Sequence, residues 1–264
     1  MTGNQFDPPL EDPSASPDVL RIMTWNVKDM HGDPAAVARV ISAAQPDVLC
    51  LQEAPRLVVT RNQLAGLARS TGLYFADGGR HAAGTAVLAS LRTDVQAVRA
   101  HRLPVSGWRT RPRGFVRARV SLPGTVAINL TCLHLGLDTG QRADHVDRML
   151  QGLTDDVPAI LVGDLNEPPH GPSWRTLSNW AVDPAPDAPD TFPASAPRSR
   201  IDAILVDPRL EVLSYGDPER VVEADVRRGS DHRPVLARVR LPRQDGESGS
   251  VARGSRPADV SLWP

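Results

Sequence analysis

Short runs of β-forming residues recur along most of this chain, and only a few stretches between them have helical periodicity. Examples are VLRIMTWNV (residues 19–27), GFVRARVSL (114–122) and RPVLARVRL (233–241). The apolar runs VAINLTCL (126–133) and AILVGDL (159–165) are typical of inner strands that are buried on both faces. Many strands with few helices predict an α/β sandwich, in which layered, mostly antiparallel sheets carry helices on their outer faces.

Three stretches have the signals of helices. Residues 34–45 place Val37, Val40, Ile41 and Ala44 at the spacing of one helix face, and Asp33 before Pro34 forms an N-cap followed by an N1 proline. Two further helices are predicted over residues 61–72, closed by Gly72, and over residues 141–153.

The length of 264 residues allows one large domain or two small ones, and neither a linker nor an internal repeat divides the chain. Residues 1–19 are rich in Pro, Asp and Ser, and residues 243–264 are polar and Gly-rich. We therefore expect a disordered N-terminal tail (1–19), a single domain (20–242) and a disordered C-terminal tail (243–264).

Composition excludes several classes of protein. Cys50 and Cys132 both stand in apolar runs, which favours buried, reduced thiols over a secreted disulfide framework. The first twenty residues lack the features of a signal peptide, and no apolar run reaches the roughly 20 residues of a membrane span. The net charge of −1 provides no global basic field that would indicate nucleic acid. The simplest expectation is a soluble cytoplasmic protein.

Polar residues with the chemistry of metal ligands recur at the ends of the strand-like runs, in the motifs TWN, LQE, GDLN and SDH. In a layered fold such strand ends can converge on one site. The hard oxygen donors among them are Asn26, Glu53, Asp164, Asn166 and Asp231. Magnesium prefers such donors and takes its remaining oxygens from water and substrate, and no Cys/His cluster in the sequence favours zinc. The motifs predict a site for Mg²⁺, with Mn²⁺ as the alternative, that acts on a phosphate ester.

Three residues are candidates for proton transfer and phosphate contact. Asp202 and His232 suit a carboxylate–imidazole pair, in which the carboxylate fixes the tautomer and raises the basicity of the ring. His134 stands at the polar end of an apolar strand, where it could hydrogen-bond a phosphoryl oxygen. Each motif alone has an ordinary explanation, since His134 could be a satisfied structural histidine and GDLN a turn. Their combination in this order favours a catalytic site.

The segments TWNV, PDVLCLQE, ILVGDLNEPP, RIDAILV and SDHRPVLA resemble those of the endonuclease/exonuclease/phosphatase superfamily, which includes DNase I-like nucleases, inositol phosphatases and sphingomyelinases. The resemblance spans residues 21–241, and GDLN, RID and SDH are specific in combination. It implies a four-layered α/β sandwich with two central, mostly antiparallel sheets flanked by helices. It also implies metal-dependent hydrolysis of phosphate ester bonds.

The resemblance implies roles for the metal-binding residues. Glu53 matches the principal metal-ligand glutamate of the family, and Asn26 and Asp231 match its supporting residues. One departure is Thr85, which stands where the family often has an asparagine, and this change could alter a polar contact near the site.

The resemblance also implies catalytic roles. Asp164 and Asn166 match the pair that positions the attacking water and contacts the phosphate, while Asp202 and His232 match the acid–histidine dyad. His134 matches the second histidine of DNase-like members. Whether His232 or Asp164 takes the proton of the water stays open.

One dense basic stretch runs from His101 to Arg119, with Trp108 and Phe115 interleaved. Its arginines are Arg102, Arg109, Arg111, Arg113, Arg117 and Arg119. The stretch could follow a phosphate backbone or bind a phosphorylated head group, or it could be a solvated strand face, because Arg117 and Arg119 share a parity. Arg113 is the predicted substrate-binding residue, since RGF follows a turn and resembles a recurrent family position.

Three functions are compared. The favoured one is a magnesium-dependent phosphoesterase that hydrolyses a phosphodiester, either nucleic acid or a small molecule, by metal-assisted attack of water. The second is a glycoside hydrolase that uses Glu167 of the Asn-Glu-Pro segment, although this needs a second carboxylate and more helices than the sequence offers. The third is a catalytically inactive binding scaffold on the same fold. No membrane insertion and no obligate protein partner are expected.

Overall fold

The computed structural model describes residues 16–56, 60–105 and 111–244. Its strands are β1 (Val19–Asn26), β2 (Val48–Gln52), β3 (Tyr74–Gly78), β4 (Ala86–Ala89), β5 (Asp94–Arg102), β6 (Gly114–Ser121), β7 (Ile128–His134), β8 (Ala159–Asp164), β9 (Asp202–Val206), β10 (Glu211–Gly216) and β11 (Val235–Arg240). Its helices are α1 (Pro34–Ala44), α2 (Thr60–Thr71), α3 (Thr139–Leu150), α4 (Pro172–Leu177) and α5 (Glu223–Gly229).

The strands form two mixed sheets. The first sheet has the order β10-β11-β1-β2-β4-β3, and the second has the order β5-β6-β7-β8-β9. Each contains one parallel pair, β1 with β2 and β7 with β8, and the other pairs are antiparallel. A parallel pair needs a crossover connection, and α1 and α3 supply the two crossovers. The predicted α/β sandwich with mostly antiparallel central sheets is confirmed.

Three apolar layers hold the sandwich together. The central layer lies between the two sheets and includes Ile22, Leu130 and Val162. A second layer packs α1, α2 and α5 against the outer face of the first sheet, and a third packs α3 and α4 against the outer face of the second sheet. Because each sheet is covered on both faces, its inner strands are buried along their length, as the apolar runs predict.

Local sequence signals predict the positions of the longer helices correctly. The Asp33 side chain accepts a hydrogen bond from the Ala35 amide at 2.9 Å, as an N-cap should, and Gly72 follows α2 with a positive φ of 71°. The sequence analysis missed β3, α4 and α5. The β3 strand has only one fully buried residue, and α4 and α5 have six and seven residues, so none of them carries a full apolar period.

Both cysteines are free and fully buried, as predicted. They lie in the central layer between the sheets, and burial raises the pKa of the Cys50 thiol well above its usual value. Cys50 is therefore not a reactive thiolate.

The ends of the described chain are held together. Arg243 Nε lies 3.0 Å from Asp18 Oδ2, and the Leu241 amide donates to the Asp18 carbonyl. Both Asp18 and Arg243 fall within the predicted tails, and the greater part of those tails lies outside the described residues. In the described part of the chain, none of the helices combines the length and the apolar character that a membrane span requires.

Gly163 in β8 generates a stability prediction. It has a φ of 149°, and a Cβ placed there would lie 2.0 Å from the carbonyl oxygen of Leu133 on β7. We expect Gly163→Ala to lower the free energy of unfolding by about 2 to 5 kcal/mol, because it combines backbone strain with overpacking. Gly66 within α2 is the control, since a Cβ there meets nothing within 4 Å. Gly66→Ala should raise stability by about 0.5–1 kcal/mol. Equal effects of both substitutions in urea unfolding would contradict this account.

Candidate active site

Three neighbouring strands of the second sheet bring polar residues side by side at one end of the sandwich. His134 on β7 pairs in register with Asp164 on β8, and Asp164 pairs with Asp202 on β9. Residues that face each other across a ladder point to the same side of the sheet. The strand β1 of the first sheet packs against β8 and places Asn26 opposite this row. Both sheets therefore contribute to one site.

Asp164 is at the centre of this site. Its Oδ2 lies 2.9 Å from Asn26 Nδ2, 3.3 Å from His134 Nε2 and 4.0 Å from His232 Nε2. Its Oδ1 accepts a hydrogen bond from the Asn166 amide at 2.9 Å. Burial, reinforced by the nearby charge of Asp202, raises the pKa of the Asp164 carboxyl to about 7.

His232 and Asp202 form the predicted carboxylate–imidazole pair. The two are joined by His232 Nδ1 and Asp202 Oδ2 at 2.9 Å, and Thr191 Oγ1 donates to the same oxygen at 2.6 Å. The His232 carbonyl accepts from Trp25 Nε1 at 2.8 Å, which fixes the backbone beside the ring. Burial alone would lower the pKa of His232, but the charge and hydrogen bond of Asp202 outweigh it and raise that pKa to about 9.

His134 has the opposite environment. Its ring is fully buried, and burial together with the positive charge of Arg113 lowers the pKa of His134 well below its usual range. Its Nε2 faces Asp164 Oδ2 without hydrogen-bond geometry and has no partner among the described residues. A neutral imidazole with a free nitrogen is therefore aimed into the site.

The predicted metal residues surround this centre. Glu53 directly follows β2 with a left-handed φ of 48°, and its Oε2 lies 3.8 Å from Arg111 Nη1. Asp231 precedes His232 and pairs with Lys28 Nζ at 2.9 Å. Within the described residues, the potential ligand atoms that lie within 4.8 Å of one another belong to Asp164, Asp202 and His232. Glu53 and Asp231 fall outside that group, so their assignment as ligands stays a prediction.

The chemistry of the donors fits a divalent cation. Asp164 and Asp202 are adjacent buried carboxylates, and Asp202 Oδ1 is buried without a hydrogen-bond partner in the described structure. Glu53 and the side-chain oxygen of Asn26 add hard donors at the neighbouring strand ends. An excess of buried carboxylate oxygens is what Mg²⁺ or Mn²⁺ prefers.

Asn166 and Arg113 bind the same backbone carbonyl on the loop after β7. Asn166 Nδ2 and Arg113 Nε each donate to the Leu135 carbonyl at 2.9 Å. Arg113 also donates through Nη1 to the Pro112 carbonyl at 3.4 Å, which leaves Nη2 without a partner in the described residues. Burial lowers the pKa of Arg113, while the charges of Glu53 and Asp164 act against that decrease. The guanidinium therefore lies close enough to the site to interact with both carboxylates. Close by, Thr85 Oγ1 donates to the Gly114 carbonyl at 3.0 Å.

The other arginines of the basic stretch divide between structural and peripheral positions. Arg117 is buried and donates to the carbonyls of Met149 and Gln151 at the end of α3, so the solvated-face alternative is wrong for it. Arg119 is exposed, as that alternative expects. Trp108 and Arg109 lie outside the described residues.

Glu167 has a structural role. Its Oε2 accepts from Arg142 Nε at 3.0 Å, and its Oε1 accepts from the Trp174 amide at 3.0 Å. Arg142 in turn donates to the Leu137 carbonyl at 2.7 Å, so this buried pair joins the loops that follow β7 and β8. Both carboxylate oxygens are engaged by the protein, which argues against the glycoside hydrolase alternative.

Sequence reasoning missed two residues that hold the site together. Thr191 binds Asp202, and Ser230 Oγ donates to the Asn26 carbonyl at 2.5 Å while accepting from the His232 amide. Ser230 stands beside Asp231 in the SDH motif, so its position was a usable signal. Thr191 lies in a loop with no motif of its own, and no pattern in the sequence indicates it.

A sandwich of two mixed sheets with an Asp–His pair and clustered carboxylates at its strand ends defines the class of DNase I-like phosphoesterase folds. The model of the endonuclease/exonuclease/phosphatase family matches residues 23–232. The chain belongs to this family, whose members generally hydrolyse phosphate esters. No curated protein matches the sequence.

Several solved structures share the fold. A mannosyl-6-phosphatase of Bacteroides thetaiotaomicron is 22% identical, with a TM-score of 0.66 over 83% of this chain and 99% of that one. The catalytic domain of human nocturnin, solved with a bound sulfate anion, is 17% identical, with a TM-score of 0.64 over 85% and 95% of the two chains. A family protein of Beutenbergia cavernae is 21% identical, with a TM-score of 0.65 over 85% and 72%. At these identities the likeness shows the fold alone.

The buried pair of Arg142 and Glu167 generates a second prediction. We expect Arg142→Met to lower the free energy of unfolding by about 3 to 5 kcal/mol, because it leaves the Glu167 carboxylate buried without a counter-charge. The control is Arg148→Met on the same helix, which breaks the exposed pair with Asp144 and should cost under about 0.5 kcal/mol. Similar losses for the two variants in denaturant unfolding would disprove the structural role of the buried pair.

Proposed function

We propose that this protein is a divalent-metal-dependent phosphoesterase that uses Mg²⁺ or Mn²⁺ to hydrolyse a phosphodiester, either nucleic acid or a small molecule, by attack of water. The observation that carries the proposal is the arrangement around Asp164. An amide side chain and two imidazoles converge within 4.0 Å of Asp164 Oδ2, and they come from both sheets. A merely structural cluster would not leave His134 Nε2 and Asp202 Oδ1 buried and unpartnered.

Glu53, Asn26 and Asp231 would hold the metal, and the Asp164–Asp202 carboxylates would add to its negative surroundings. When bound, a divalent cation neutralises phosphoryl oxygens and the charge that develops on the leaving group. The excess of hard oxygen donors over protein hydrogen-bond donors at this site supports its presence.

Asp164 and Asn166 would position the attacking water. The Asn166 amide and the Asn26 side chain hold the Asp164 carboxylate in one orientation, so an oxygen of that carboxylate can accept a hydrogen bond from the water. His232 would exchange a proton through Nε2, because its Nδ1 is already committed to Asp202. The Thr191 hydroxyl restrains Asp202 and hence the plane of the imidazole.

His134 and Arg113 would stabilise the phosphoryl group as its charge rises. The unpartnered His134 Nε2 can donate only in the tautomer that carries its proton there, and Arg113 offers its unpartnered Nη2. Both groups are already held by the fold, so little reorganisation is needed during the reaction.

A substrate panel tests the proposal. The purified protein is assayed against plasmid DNA, an abasic-site duplex, RNA, an inositol phosphate and a chromogenic phosphodiester, each with magnesium and then with chelator. We expect hydrolysis that chelator abolishes and magnesium restores. Activity confined to phosphomonoesters would correct the bond type. Inactivity towards every ester, with no binding of magnesium by calorimetry, would favour the inactive scaffold.

We expect His232→Ala to lower turnover by about a hundredfold or more, the usual loss when general acid–base catalysis is removed. Asp202→Asn should also lower turnover, because the ring loses the partner that sets its tautomer. Asp187→Asn makes the same chemical change at an exposed position and should leave turnover unchanged. Steady-state kinetics on variants with native circular dichroism checks the prediction, and a near-native rate for His232→Ala would remove its assigned role.

We expect Glu53→Gln to raise the magnesium concentration for half-maximal rate by about tenfold or more, because the substitution removes a charged metal ligand. Glu219→Gln is the control, since that glutamate is exposed and pairs with Arg238, which has no role in the proposed metal site. The measurement is a magnesium titration of the hydrolysis rate for both variants. An unchanged titration curve for Glu53→Gln would exclude Glu53 as the principal ligand.

A further inference from the structure

A positively charged cleft of about 350 Å³ lies directly beside the candidate active site. Its lining includes Lys28, His31, Ser195, Arg227, Arg228 and Asp231. Asp231 precedes His232, and Lys28 follows Asn26 by two residues, so the cleft and the site share a wall. None of the basic groups of the cleft has a role in the proposed reaction.

The walls of the cleft are tightly packed against one another. The loop after β1 packs against the end of α5, where the Asp33 amide donates to the Arg228 carbonyl at 2.9 Å. A Cβ at Gly32 would lie 2.3 Å from that carbonyl oxygen, so only glycine permits the approach. The Ala194 amide donates to the Asp231 carbonyl at 2.6 Å and fixes the third wall. The loop itself contains consecutive left-handed residues, Lys28 to Met30, with φ values of 49°, 52° and 52°.

The charges of the cleft are only partly compensated within the protein. Lys28 Nζ pairs with Asp231 Oδ2 at 2.9 Å, and Arg227 Nε pairs with Glu223 Oε1 at 2.9 Å. Glu223 is shared with Arg233, which binds both of its oxygens. The Arg228 guanidinium makes no hydrogen bond or close ion pair in the described part of the chain, although its charge, after the larger effect of Arg39, contributes to lowering the pKa of Asp225. The cleft therefore offers one cation whose N–H groups are not bound by a counter-ion, with further donors around it.

We propose that this cleft binds a second phosphate group of the substrate, so that the preferred substrates carry a phosphate in addition to the ester that is hydrolysed. The inference rests on the proposed function, because the site beside the cleft must hold the scissile ester. Arg228 would be the principal ligand of the second phosphate, with Lys28 and the Ser195 hydroxyl as further donors.

The size and position of the cleft favour a phosphate on a short linker. A volume of about 350 Å³ exceeds what a lone carboxylate fills and lies in the range of small-molecule sites. Two residues span at most about 7 Å of chain, so Lys28 stays close to Asn26 and to the scissile ester. A sugar-sized spacer between the two phosphates matches this separation, and the arginines provide the planar donors that phosphate prefers.

The experiment compares matched inhibitors of chromogenic phosphodiester hydrolysis by the full-length protein with magnesium. The probes are linear alkyl monophosphates and the α,ω-bisphosphates of the same chain length, with about three to eight carbons. We expect the best bisphosphate to inhibit at about tenfold lower concentration than its monophosphate, as one further charged contact allows. Arg228→Gln should reduce this preference to about twofold, and Arg228→Lys should restore part of it.

Arg69→Gln on α2 is the matched control, because it removes the same charge from an exposed position outside the cleft and should keep the preference. Equal inhibition by mono- and bisphosphates, or a preference that Arg228→Gln retains, would overturn the inference while leaving the hydrolysis itself intact. If no ester is hydrolysed, the proposed function fails separately. Calorimetric binding of hexane-1,6-diyl bisphosphate that Arg228→Gln weakens would then still support the cleft, and equal binding by both proteins would refute it.

Discussion

Two buried carboxylates, Asp164 and Asp202, face each other across the β8–β9 ladder, and the rest of the site is arranged around them. Isolated charges are expensive to bury, so each carboxylate must be matched by donors or cations. Asn26 from the first sheet supplies a hydrogen bond to Asp164, while His232 and Thr191 satisfy one oxygen of Asp202. The two sheets are thus joined at this end by polar contacts as well as by the apolar layer between them.

These contacts do not satisfy the carboxylates completely. The pKa of Asp164 rises to about 7, that of His232 rises to about 9, and Asp202 Oδ1 has no partner among the described residues. An arrangement selected only for stability would replace such groups with well-packed apolar residues. Under the proposed function, this unmet negative charge would attract a divalent cation, and the site would give up stability for the capacity to hold one.

The sequence predicts the architecture and the residues of the candidate site because both depend on local patterns. Apolar strands that end in a polar residue indicate where Asn26, His134 and Asp164 lie, since a buried strand rarely carries an amide, imidazole or carboxylate in its interior. Contacts between residues that are far apart in the sequence cannot be predicted from such local patterns. Arg117 looks like a solvated residue from its parity, yet it binds carbonyls at the end of α3, and Thr191 reaches Asp202 from a loop that carries no motif. Glu167 likewise resembles a catalytic acid in the sequence. Only the fold shows that it is paired with Arg142.

The residues assigned to the reaction and those that could select the substrate lie in different parts of the fold. The groups at the centre come mainly from strand ends, where two packed sheets hold them rigidly. The groups that could recognise the remainder of a substrate, Arg113, Lys28 and Arg228, lie at the start of a strand, in a left-handed loop and at the end of a short helix. Such segments can change without disturbing the sheets. The rim of the site can therefore vary while the fold is kept, so the substrate of this protein must be sought at the rim.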